Sequence, residues 1–415
     1  MRNNNDDDDN TLSDIRVLDL TGGVGEYTAK LYAHIGADVI HVEPVTGDPL
    51  RNKGPFYKDL VDENGGMEFL YCNIGKKSLA LDLSDGEGKK ILKKLCKTAD
   101  VLIESFSPGH MDDLGLGYET LAKINPKLVY AAITPFGQTG PYRDYPFSDL
   151  TLMALGGFLF LAGNENEKPV RACGEQAFQM GAAYAAMGSM IALYHARHTG
   201  EGQFIDVSMQ ACVATALENA IQWYDLQGVN RRNVGYEAGL GVYRCQDGFV
   251  CVVAAFGRTR AMWENFLNWI ERDGAENLDE LRNEKWFEPE YRKTDEARSE
   301  FKKRFEEYSA KRTKAHLYDE SMKNRCVVFP VSDGKDIFEN AQFNYRDFFK
   351  TIHHPAIDAD VYFPAYGFEM SGLDVEIKTP APTKGQHSFE LLEELGYTES
   401  DIEGLLKGGA VYGAK

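Results

Sequence analysis

Residues 15–43 constrain this chain more than any other segment. Residues 15–20 (IRVLDL) are a short run of β-formers, followed by the turn Thr21-Gly22-Gly23-Val24-Gly25. A helical pattern then sets Tyr27, Leu31 and Ile35 on one face, and a second β-rich run over 38–42 ends at Glu43. Strand, glycine turn, helix and strand in so few residues form a βαβ unit, which requires a parallel sheet with a right-handed crossover. The alternation continues with strands expected over 78–83, 101–103 and 128–133 and helices over 86–98 and 118–124. The expected fold class is therefore α/β, a doubly wound, Rossmann-like sheet.

Further on, residues 176–198 predict one long helix in which Gly181, Ala182, Ala185 and Gly188 let another backbone approach closely. A strand over 203–207 and a helix over 209–226 follow. The texture changes after 229–233 (VNRRN), where Gly235, Gly239 and Gly241 predict a flexible loop leading into a hairpin over 241–254. Charged helices occupy 259–318, so a small α+β domain is expected at 225–325. Two helices, 388–395 and 399–406, close the chain.

The composition, 43% hydrophobic and 26% charged over 415 residues, is sufficient for a sizeable core. A net charge of −19 argues against nucleic acid or an anionic membrane as the main partner. It leaves room for a phosphorylated ligand held by a few cations or a helix N-terminus. Seven cysteines without a CxxC pair read as reduced thiols, and no apolar run reaches 18 residues, so a cytoplasmic protein is expected. The opening MRNNNDDDDN, opposite in character to a signal peptide, predicts a disordered acidic tail over 1–12. Nine histidines lack HxxxH or HExxH spacing, and GxSxG does not occur, so no metal and no serine nucleophile is expected.

Three motifs carry alternatives. The Gly22–Gly25 turn with Glu43 approaches a dinucleotide fingerprint, but Thr28 stands where the third glycine belongs, so a plain strand-to-helix turn fits equally well. Lys76 and Lys77 read as solvated charge or, in a glycine-containing loop at a strand start, as a phosphate contact. His353 and His354 before Pro355 read as surface loop residues.

Taken together, LDLTGGVGEYTAKLYAHIGADVIHVEP, NIGKKSLALDLS, ESFSPGHMDDLGLGYETLAKINPKLVY, PFGQTGPYRD, HARHTGEGQFIDVSM and PAPTKGQHSFELLEELGY resemble the family III (CaiB/BaiF) CoA-transferases. The resemblance implies a large domain built from 13–224 and 326–415, a small one at 225–325, and two subunits interlocked like links. It implies coenzyme A contacts at Val24, Gly25, Asn73, Gly75, Lys76, Lys77 and Phe106. It also implies covalent chemistry, in which an aspartate carboxylate attacks the acyl-CoA thioester to give a mixed anhydride. The released CoA thiolate converts this to an aspartyl-CoA thioester, and the acceptor acid takes the CoA.

Here the chain departs from the family. The family's aspartate falls on Phe178, counted either from the arginine matching Arg171 or from the glycine matching Gly188. A phenyl ring offers no lone pair to a thioester. Glu175 and Gln179 are close in sequence but point away from Phe178 on a helix, which leaves Glu175 as a weak candidate nucleophile. Asp113 and Ser107 stand where the family carries arginines. The resemblance therefore implies a subunit without catalytic residues, interlocked with a homologous catalytic subunit. Within the family it resembles the silent half of an enzyme using succinyl-CoA and the small carboxylic acid benzylsuccinate. The alternatives are a self-sufficient transferase using Glu175 and an acyl-CoA racemase or lyase on the same fold.

Overall fold

The computed structural model describes residues 12–163, 168–230, 237–255, 260–371, 377 and 379–413. All of the tail expected at 1–12 except Leu12, together with Gly235 of the expected loop, lies outside them. The chain forms two compact units. One comprises 12–160, 171–222 and 345–413; the other comprises 161–170 and 223–344.

The first unit is organised on a seven-stranded sheet of order β12-β3-β2-β1-β4-β5-β6. Its strands are β1 Arg16–Leu20, β2 Asp38–Glu43, β3 Lys77–Leu81, β4 Val101–Glu104, β5 Val129–Thr134, β6 Phe204–Ser208 and β12 Val411–Tyr412. The first six pair in parallel, with Leu18 opposite Ile40 and Leu102. Short β12 adds antiparallel to β3, an edge strand that the sequence did not announce. Side chains alternate between the faces, so two cores form. Val17, Val39, Val101 and Ile103 enter one. Leu18, Ile40, Leu79 and Leu102 enter the other. Coverage of both faces explains why β5, VYAAIT, is buried at every position.

Helix α1 (Glu26–His34), α4 (Asp149–Leu155), α5 (Gln176–Thr199) and α6 (Met209–Thr215) cover the first face. On α5 the small residues Gly181, Ala182 and Ala185 are buried. A Cβ on Gly181 would stand 2.6 Å from Met209 Cγ. Thr28 donates to the Ala182 carbonyl at 3.1 Å, and Tyr32 meets Ser189 at 2.7 Å. The second face is covered by α3 (Gly86–Cys96), α10 (Ser388–Glu394) and α11 (Glu399–Gly408), with Ile91, Leu92, Leu391 and Ile402 inward. The helix expected over 209–226 is broken: α6 stops at Thr215, and Glu218, at φ 53°, cannot continue it. His353 and His354 lie in a strand rather than a surface loop. β10 (Phe349–His354) pairs antiparallel with β11 (Ala359–Pro364), and burial of His354 depresses its pKa to about 4.

The second unit pairs β7 (Leu240–Cys245), β8 (Gly248–Val253) and β9 (Val327–Pro330) antiparallel. Helices α7 (Arg260–Arg272), α8 (Asp295–Ser309) and α9 (Lys314–Lys323) belong to it. Trp263, Trp269, Trp286 and Phe301 fill its core. Among the described residues no helix is long and apolar enough to cross a membrane.

Candidate functional site

In a doubly wound sheet, ligands bind where loops leave the carboxyl ends of the strands. At that edge the chain buries a network of charge. Asp19, at the end of β1, accepts from Thr21 through Oδ1 and from the Lys76 ammonium at 2.7 Å through Oδ2. His41, fully buried on β2, lies 3.2 Å from Asp19 and 3.2 Å from Asp48. Against the cost of burial, the two carboxylates hold the imidazole protonated, with its pKa raised to about 10. The Asp19 carboxyl is held well below its usual range by Lys76 and His41, again against burial. Glu43 takes both arms of Arg51 at 2.7 Å and the Ser78 hydroxyl at 2.5 Å. With these bonds satisfied, Glu43 has no free face for the ribose of a nicotinamide cofactor.

The residues that the family resemblance assigned to coenzyme A sit around this network. Lys76 is not solvated: it is 2% exposed, and its three N–H bonds go to Asp19, the Glu26 carbonyl and Asn73. Lys77 remains half-exposed and bridges Asp38 and Glu390. Asn73 ends α2 (Met67–Asn73) and is buried, and among the described residues its side-chain N–H2 has no partner. Gly75 adopts φ 79° and donates to the Thr379 carbonyl. Gly25 adopts φ 93° and opens α1, where a Cβ would stand 3.0 Å from Ile133 Cδ1. Val24 packs on the adjoining core, and Phe106 lies 4.9 Å from the His110 ring.

The turn offers phosphate little. The Gly22 N–H donates to Ser105 at 3.3 Å, and the Gly23 N–H donates to the Glu26 carboxylate. Glu26, buried at the positive end of α1, occupies the position where an anion would bind. Burial and the negative charge of Asp48 raise its pKa to about 8. Asp113 and Ser107 supply no cation. At this rim Arg143 donates to the Pro108 carbonyl at 2.8 Å.

The start of α5 separates Phe178, the residue counted to the family's aspartate, from Glu175, the weak candidate nucleophile. Phe178 is half-buried against the core, its ring edge-on to Phe147 with centroids 6.1 Å apart. Glu175 projects from another face into a cleft of about 780 Å³ lined also by Tyr27, Lys53, Glu68, Tyr71 and Gln179. Both its carboxylate oxygens lie 2.9 Å from the Lys53 ammonium, which also meets Glu68 at 2.9 Å. A carboxylate gripped by an ammonium is a poor nucleophile, because attack would give up that ion pair. Asp149 was not identified from the sequence: buried at 4% exposure, it caps α5 by accepting from the Ala177 N–H at 2.8 Å. Nothing in the sequence linked Asp149 to residue 177.

A sheet of this topology with its site at the carboxyl edge has known relatives, and the chain belongs to family III of the CoA-transferases, whose family model matches residues 12–388. It is 44% identical to the succinyl-CoA:(R)-benzylsuccinate CoA-transferase subunit BbsE of Thauera aromatica, over 97% of this chain and 98% of that one. It is 30% identical to a succinyl-CoA:mesaconate CoA-transferase of Haloarcula hispanica, over 93% and 96%. Among solved structures, a CAIB/BAIF family protein from Brucella suis superposes with a TM-score of 0.82 at 26% identity, covering 92% of this chain and 98% of that one.

Proposed function

We propose that this chain is the non-catalytic subunit of a two-chain CoA-transferase, partnered by a homologue that carries the nucleophilic aspartate. The observation that carries the proposal is the start of α5, where Phe178, the residue counted to the family's aspartate, packs against Phe147 and Glu175 is bound to Lys53. The 44% identity to the benzylsuccinate enzyme's subunit supports succinyl-CoA as donor and benzylsuccinate as acceptor for the complex.

Coenzyme A is then held by the catalytic homologue. Of the cations nominated for it here, Lys76 is fully engaged inside the protein, the Glu26 carboxyl fills the turn where phosphate would bind, and Asp113 brings an acidic side chain where the family carries an arginine. No step of the transfer is assigned to this chain; its residues shape and stabilise the partner's site. The outer face of α5 supports a partner, since Met187, Ile191 and Tyr194 are 53%, 65% and 68% exposed. An interlocked arrangement, a cytoplasmic location and the large-domain and small-domain limits 13–224 with 326–415 and 225–325 belong to the same proposal.

The test is direct. The chain purified alone is expected to transfer no CoA between succinyl-CoA and benzylsuccinate, and co-expression with an aspartate-bearing homologue is expected to restore turnover. Turnover by the isolated chain, or a CoA adduct on Glu175 found by mass spectrometry, refutes the assignment.

A further inference from the structure

The second unit contains a pocket of about 370 Å³, far in sequence from the charge network, lined by Val253, Ala261, Met262, Asn265, Phe266 and residues 324–327. That volume falls at the lower end of the range for small-molecule sites. Its walls are apolar except at one rim, where α9 ends and the chain turns into β9.

That rim is built at a cost. Arg325 adopts φ 53°, the left-handed region, at the helix C-terminus where glycine is the favoured residue. The neighbouring backbone enforces this conformation. The Arg325 N–H donates to the Met322 carbonyl at 3.2 Å and the Cys326 N–H to the Ser321 carbonyl at 2.8 Å. Asn324 is fixed as well, its amide donating to the Glu320 carbonyl at 2.8 Å and its side-chain oxygen accepting from Arg272 at 2.7 Å. The Asn265 side chain donates to the Asn324 carbonyl at 2.8 Å. Strain held so firmly favours a site for the side chain that bears it.

Those hydrogen bonds engage the backbone of Arg325 and not its side chain. Arg325 is exposed, and among the described residues neither Arg325 nor Arg272 pairs with a carboxylate. This contrasts with a chain of net charge −19, in which nearby Arg260 and Arg282 each find a glutamate. An unpaired guanidinium beside an apolar pocket presents a flat fork of donors that matches a carboxylate.

We propose that this pocket binds a carboxylate carried on a short apolar body, with the Arg325 guanidinium as its receptor. The body lies against Val253, Met262 and Phe266, and Arg272 adds a second positive charge at the rim. The site is independent of the transferase assignment, since it uses no residue of the first unit.

The experiment is calorimetric titration of the full chain with hexanoate and, as a neutral control, hexanol, for the wild type, Arg325→Ala and Arg325→Gly. Hexanoate is expected to bind the wild type at least about tenfold more tightly than hexanol, and both variants should lose that preference. Arg325→Gly is also expected to melt about 2 °C higher than the wild type, because glycine relieves the backbone strain. The rise in melting temperature shows that loss of binding is not loss of folding. Equal affinity for hexanoate and hexanol in the wild type overturns the proposal, as does undiminished hexanoate binding by Arg325→Ala. Failure of Arg325→Gly to gain stability removes its strain argument and overturns it equally.

Discussion

Phe178 and Glu104 show how much a single side chain decides here. Phe178→Asp would put a carboxylate at the position proposed for the family's aspartate, but into a half-buried place against Phe147. Removing the ring and partly burying a charge is expected to cost about 2–4 kcal/mol, read by denaturant unfolding. The isolated variant is expected to remain inactive, because the Glu26 carboxyl still occupies the glycine turn. Measurable transfer by that variant would show instead that the CoA site survives. Glu104, at the end of β4, offers a pH test. Burial raises its pKa to about 7, so its neutral form is favoured in the folded state. A carboxyl shifted upward contributes its full stability below its ordinary pKa, near 4.5, and loses it as pH rises through about 7. Glu104→Gln is therefore expected to match the wild type near pH 4 and to exceed it by roughly 1–3 kcal/mol at pH 8. Thermal melts across that range that stay parallel would refute the shift.

At the scale of the element, α3 shows how space can outweigh propensity. Gly86 and Gly88 both lie in its first turn, where alanine is intrinsically better by up to about 1 kcal/mol. A Cβ at Gly86 meets nothing within 4 Å, whereas one at Gly88 would stand 1.9 Å from the Asp82 carbonyl oxygen. Gly86→Ala is therefore expected to stabilise by a few tenths of a kcal/mol, and Gly88→Ala to destabilise by about 2 kcal/mol or more. Urea titration separates the two signs. Elements were also legible to different depths. The parallel strands could be read because each is a β-rich run next to turn residues. The helix expected over 209–226 could not be read correctly, since the reversal of backbone sign at Glu218 leaves no mark in residue type. His353 and His354 were read as surface loop residues, although they end β10 and His354 packs 5.8 Å from the Phe363 ring.

For the whole molecule, the exposed row Met187, Ile191 and Tyr194 is the feature hardest to reconcile with a chain that works alone. Ile191→Glu is expected to leave the melting temperature of the isolated chain within about 2 °C, because the residue is 65% exposed. The same change should weaken assembly with the proposed catalytic homologue by at least about tenfold, measured by sedimentation or co-purification. Assembly unchanged by this substitution would move the interface elsewhere.

The amino-acid order alone determined the parallel sheet and the family, and it alone is the ground for proposing that Phe178 replaces the family's aspartate. These depend on local periodicity, turn residues and ordered motifs, all carried by neighbours in the chain. Tertiary structure alone decided the fate of each charge: Lys76 buried against Asp19, Glu43 closed by Arg51, Glu175 held by Lys53, and Asp149 capping a helix 28 residues away. Those pairings join residues distant in sequence. Whether an ionisable group is solvated or silent depends on which partner the fold places beside it.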